Sequence, residues 1–190
     1  MDQADSLLAD VATIIVETGM RPGEVFAIQG NHANLEGRFV FIPSGKTKSA
    51  RRTIPLTYRA IEAISRRMPI SCRQYATKDG LKMSAAGSFK GDPGLLFPAK
   101  AAHQIVMRWH KAACKRLGFE YRLYDFRHTY GSRMAMAGVD LVTLRELMGH
   151  SSITITQRYC HPTPQHKVAA VAKLVEYNEA ATKSHTQKCR

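Results

Sequence analysis

Four side chains able to handle a phosphodiester stand far apart in this 190-residue sequence: Arg21 in TGMRPGE, Arg127 in LYDFRHTYG, and His150 and Tyr159 in LMGHSSITITQRYCH. Negative charge grows on two nonbridging oxygens as a phosphoryl group is transferred. A guanidinium meets that charge well, because it is planar, donates two parallel hydrogen bonds and stays charged at any working pH. Arg21 and Arg127, converging in space, would form such a clamp, with the Tyr159 phenol as nucleophile and His150 as a further polar group beside them. Singly, each has a plain alternative as a surface cation, a satisfied polar group or a buried aromatic.

The elements that must position these groups can be read from periodicity. Leu7, Leu8, Val11, Ile14 and Ile15 recur at helical spacing and stop before Gly19. Pro22 suits the first turn of a short second helix, which places Arg21 at a helix start, and NHANLEG after it reads as turn-rich. Residues Arg38 to Ile42 and Arg52 to Leu56 predict an antiparallel hairpin whose connecting loop carries lysines. Thr57 caps a helix with Ile61, Ile64 and Met68; residues 71 to 94 read as a polar, basic mobile loop, and LLF as a short strand. Ile105, Val106, Trp109, Ala113 and Leu117 predict one apolar helix face. Asp125 and Asp140 are candidate N-caps of two helices closing at Gly138 and Gly149. A short helix after Ser151 or Ser152 is expected to carry Tyr159, and Pro164 opens a last amphipathic helix that gives way to a polar tail near Asn178.

Composition bounds the function. The chain holds 28 Lys and Arg against 15 Asp and Glu, a formal charge of +13, which fits a polyanionic partner held with steep salt dependence. Cys72, Cys114, Cys160 and Cys189 show neither paired spacing nor a zinc pattern, and Cys160, His161 and His166 lack a matching second pair, so no metal or other cofactor is expected and a reducing compartment fits. The apolar run near the start is too short to span a bilayer.

Taken together, the motifs resemble the tyrosine recombinase, or phage integrase, family. Its first arginine box, TGxRxxE, matches Thr18, Gly19, Arg21 and Glu24. A second box resembling HDLRHTF matches Tyr124 to Tyr130, and a third, LxGHSSxxxTxxYxH, matches Leu147, Gly149, His150, Ser151, Ser152, Thr156, Tyr159 and His161. The resemblance implies an α+β, mainly α-helical catalytic-domain fold with a small antiparallel sheet on one side. It implies a site-specific DNA recombinase in which Tyr159 attacks the scissile phosphate, displaces the 5′ hydroxyl and forms a 3′-phosphotyrosine, without ATP or metal. Lys46 on the hairpin is the first candidate for protonating the leaving oxygen, with Lys48 as alternative.

Tyr124 stands where the family usually has histidine; its hydroxyl can reach a phosphate oxygen but is not cationic at neutral pH. His128 matches a residue read as structural in the family. Its direction on the helix is expected to differ from that of Tyr124 by about one residue's rotation, so no catalytic role is expected for it. Glu24 and Asp125 read as supports. The expected organisation is a catalytic domain over residues 1–177 and a polar tail over 178–190, with the usual amino-terminal core-binding domain absent from the chain. The implied partners are double-stranded DNA and further copies, as a tetramer on paired sites, in the prokaryotic cytoplasm or nucleoid, without membrane association. Competing readings are a noncatalytic DNA-binding module, since GVDLVTLRELMGHSSITITQRY can pass for two helices around a turn, and a type IB topoisomerase-like enzyme.

Overall fold

The computed structural model describes residues 3–43, 48–68, 99–160 and 164–188. Helix α1 (Gln3–Thr18) buries Val11, Ile14 and Ile15 completely, as their spacing on one face requires. Helix α2 (Pro22–Phe26) starts at a proline, and the Glu24 carboxylate reaches back to accept the Arg21 backbone N–H at 2.8 Å. Strands β1 (Ala33–Asn34), β2 (Phe39–Ile42) and β3 (Arg52–Pro55) form an antiparallel sheet in that order, with Val40 opposite both Ala33 and Ile54. Alternation along β3 turns Ile54 and Arg52 to the buried side.

Helix α3 (Tyr58–Arg67) is capped by Thr57, whose hydroxyl accepts the Ala60 N–H at 3.2 Å. It is tied to α1 through buried Asp10, which pairs with Arg66 at 2.7 Å and with Arg67. Around α1 pack α3, α4 (Ala99–Leu117) and α5 (Asp125–Met136); α6 (Leu141–Met148) then lies against α5, β3 and the short α7 (Ile153–Gln157). The main core joins Val11, Ile14, Val25, Val40, Ile54, Ile64 and Leu123; a smaller cluster of Tyr130, Leu144 and Met148 has Tyr159 packed against it. Two compact units result, Met1–Tyr159 and Cys160–Arg190, the second built on α8 (Pro164–Lys188).

The expected helical chain with a small antiparallel sheet is the architecture observed. Details differ. The NHANLEG stretch contributes the two-residue strand β1. Among the described side chains of α4, Val106 and His110 are buried, whereas Leu117 is 61% exposed. Asp125 is the first residue of α5 rather than its cap: its carboxylate accepts the Arg122 N–H at 2.8 Å, fixing the preceding turn. Tyr159 lies just past α7, which ends at Gln157. Helix α8 continues to Lys188 instead of ending near Asn178. Lys46, the segment 71–94, the LLF stretch and His161 lie outside the described residues.

Candidate active site

The site is organised on the carboxyl end of α6. The last carbonyls of a helix have no partner within it, and that end carries a partial negative charge. Here three consecutive carbonyls are each taken by an arginine from a different element. Arg52 Nε of β3 donates to Leu147 O at 2.8 Å, one Arg127 terminal nitrogen of α5 donates to Met148 O, and a terminal nitrogen of Arg21, at the head of α2, donates to Gly149 O at 2.9 Å. Gly149 ends the helix with φ +65°, and a Cβ there would come within 2.7 Å of the Arg52 guanidinium, so both conformation and space call for glycine.

Glu24 holds two of these cations. It pairs with Arg21 at 2.8 Å and accepts two bonds from Arg52, at 2.8 and 3.1 Å. Burial pushes its carboxyl up, but hydrogen bonds and charge from Arg52, with bonds from Arg21, outweigh that and leave it below its ordinary pKa. Arg127 is fully buried and also donates to Gly19 O; its Nε has no hydrogen-bond partner among the described residues. Burial, followed by repulsion from Arg21, lowers its pKa to about 10, so it remains cationic at neutral pH. The Arg21 side chain is 35% exposed and forms the open edge of the cluster.

His150 follows the gripped corner and is 5% exposed. Its Nδ1 lies 2.8 Å from the buried Thr156 hydroxyl. Burial first, then the charges of Arg127, Arg21, Arg158 and Arg52, bring its pKa down to about 4, so the imidazole is neutral at pH 7. With the proton on Nε2, Thr156 donates to Nδ1 and Nε2–H remains available as a donor. A cleft of about 400 Å³ lined by Ser49, Arg51, Arg52, Arg145 and Glu146 opens beside it.

The Tyr159 ring runs parallel to that of His150, the centroids 6.4 Å apart and the planes within 9°. Its other neighbour is α5. The Tyr159 hydroxyl is 2.8 Å from His128 Nδ1, and the ring occupies the space left by Gly131, where a Cβ would come within 2.8 to 2.9 Å of three ring carbons. Tyr124, 39% exposed, meets the His128 ring edge-on at 5.2 Å. Burial raises the Tyr159 pKa against an opposing effect of Arg127, so the phenol is un-ionised at neutral pH.

Arg21, Arg127, His150, Tyr159 and Tyr124 are therefore brought into one neighbourhood, as the sequence motifs anticipate. The expected orientation of His128 is corrected: four residues along a helix amount to about 40° of rotation, so Tyr124 and His128 share a face, and His128 is the residue that meets the phenol. Arg52, Thr156 and Gly131 join the site without a part in it being expected from the sequence. Thr156 had a signal, its place in the third box; Arg52 had only its inward position on a strand.

The sequence profile of the Phage integrase family matches residues 3–166. A tyrosine recombinase XerC-like protein of Caldanaerobacter subterraneus subsp. tengcongensis is 30% identical over 135 residues, covering 68% of this chain and 33% of that protein. Among solved structures, the integrase of transposon Tn1549 in complex with transposon right end DNA superposes with a TM-score of 0.63 at 23% identity, over 91% of this chain and 64% of that one. The catalytic domain of bacteriophage HP1 integrase does so with a TM-score of 0.57 at 22% identity, over 90% and 92%. At these identities the structures establish a shared fold. The chain spans half or less of the length of the curated relatives it matches.

Proposed function

This chain belongs to the phage integrase family, and we propose that it is the catalytic domain of a site-specific DNA recombinase that cuts and rejoins strands through a phosphotyrosine at Tyr159. The observation that carries this reading is the meeting of Arg21 and Arg127 on adjacent carbonyls, Gly149 and Met148, beside a neutral histidine stacked on a tyrosine. In the proposed reaction the arginines and His150 Nε2–H stabilise the charge on the nonbridging oxygens. Tyr159 Oη bonds to phosphorus, the bond to O5′ breaks, and O5′ takes a proton for which Lys46 is our candidate donor. A 5′ hydroxyl then reverses the step, so bond energy is conserved without a nucleotide cofactor.

The substrate we assign is duplex DNA, in keeping with the charge of +13 and with the DNA-bound integrase of the same fold. A noncatalytic binding module would have no need of a tyrosine held against two histidines. The test is incubation of the chain with a pool of duplexes bearing one nick in randomised sequence, scored for protein–DNA adducts that survive SDS. Adducts are expected from the unaltered chain and none from Tyr159→Phe; adducts persisting in Tyr159→Phe would move the nucleophile elsewhere. Relaxation of supercoiled plasmid without exchange between paired sites would favour the topoisomerase-like reading. Crosslinking of the adducts sizes the assembly, and a single chain per duplex would remove the proposed tetramer. The exposed apolar stripe of Val168, Val171, Leu174 and Val175 on α8 is the surface we assign to contacts between copies.

A further inference from the structure

The attacking phenol must lose a proton, and Tyr124 and His150 are both poorly placed to take it. No hydrogen bond joins Tyr124 to Tyr159 among the described residues, and a phenol is a feeble base. With its proton on Nε2, neutral His150 has one basic lone pair, on Nδ1, and that nitrogen is engaged by Thr156 at 2.8 Å. Among the described residues, His128 is the histidine that directs a ring nitrogen at the reacting oxygen, at 2.8 Å. It sits three residues before Gly131 on the same face of α5, so the helix that supplies the base also supplies the slot holding the nucleophile. Resting on the recombinase reading above, we propose that His128 Nδ1 accepts the proton of Tyr159 Oη as that oxygen bonds to phosphorus, and returns it when the 5′ hydroxyl of the rejoining strand expels Tyr159.

In balance, the Oη–H bond breaks as Nδ1–H forms, Oη–P forms as P–O5′ breaks, and O5′ is protonated separately. Burial lowers the His128 pKa, with Asp125 opposing and Arg158, Arg122 and Arg127 reinforcing, so the ring is neutral at pH 7, and in its Nε2–H tautomer Nδ1 presents a lone pair to the phenol. The resting pair is thus phenol and neutral imidazole. Transfer becomes favourable only as bonding to phosphorus makes the phenolic oxygen acidic, which is general-base rather than pre-ionised behaviour.

The test uses the full chain and the same randomised nicked duplexes. Relative to the unaltered chain, His128→Gln and His128→Ala are expected to form adducts on the order of a hundredfold more slowly. Free imidazole should restore His128→Ala. The loss of rate on acidification, centred below pH ~6.5 in the unaltered chain, should vanish in His128→Gln. An unchanged rate and pH profile in His128→Gln, with Tyr159→Phe inactive, would overturn the role of His128 while leaving Tyr159 as nucleophile. If the unaltered chain forms no adduct, the recombinase reading fails first, and histidine titration by NMR judges the contact alone. The phenol's hydrogen bond favours the neutral imidazole, so Tyr159→Phe should raise the His128 pKa; an unmoved titration overturns the proposal.

Discussion

Gly131 positions the nucleophile by what it lacks. In an exposed helix, glycine is about 1 kcal/mol worse than alanine, so Gly131→Ala improves the local preference of α5. Yet the added carbon would overlap the Tyr159 ring, which must move away from His128. The expected outcome is a melting temperature close to that of the unaltered chain and adduct formation slower by on the order of a hundredfold, since misplacement of a reacting atom by about 1 Å costs that much. A loss of melting temperature in step with activity would instead make Gly131 a packing residue. The residues that announce themselves in the sequence are those whose type is unusual for its setting: Arg21, Arg127, His150 and Tyr159. His128 and Gly131 carry no such mark, because their part depends on which ring comes to lie on α5, a fact of tertiary approach.

Among the elements, α6 matters most for the site and showed least of its importance in the sequence. Its span was readable from Asp140, which accepts the Val142 and Thr143 N–H groups, and from Gly149. The three arginines that satisfy its end come from three other elements, and no local pattern records that. The two-residue β1 is illegible in the sequence for a similar reason, since pairing with β2 makes it a strand. Arg52 tests the importance of this junction. Replacing it with leucine removes two bonds to partly buried Glu24 and the partner of Leu147 O, leaving a carboxylate with Arg21 as its remaining cation. Leaving a fully buried charge without a partner costs about 3–5 kcal/mol, and with Glu24 partly exposed and Arg21 still in place the loss is expected below that range. Urea denaturation should show a lower midpoint with unchanged slope; an unshifted midpoint would mean that the pair is solvated in solution.

At the scale of the whole molecule, ionisation couples the site to stability. Burial holds His32, His110, His128 and His150 below their ordinary pKa values, with His150 at about 4. Between pH ~6.5 and the native values the unfolded chain binds more protons, so stability is complete above the unfolded histidine pKa and falls as pH drops through this window. His150 alone accounts for at most about 3–4 kcal/mol. Glu24, Asp125 and Asp140, whose carboxyls are held low, act in the same direction at lower pH, their contributions present above the unfolded carboxylate pKa and lost as pH falls through the native ones. The melting temperature is therefore expected to decline from pH 7 to pH 5 and more steeply below; a flat profile over the first interval would show that these histidines ionise freely in the folded state. Calorimetry across that range decides it. The three guanidinium groups seated on successive carbonyls at one helix end share a single anchorage, and this fixes how the site can fail or be tuned. A nudge to that corner relocates the whole positive field together, so the reach of one cation is not adjusted while its companions stay still.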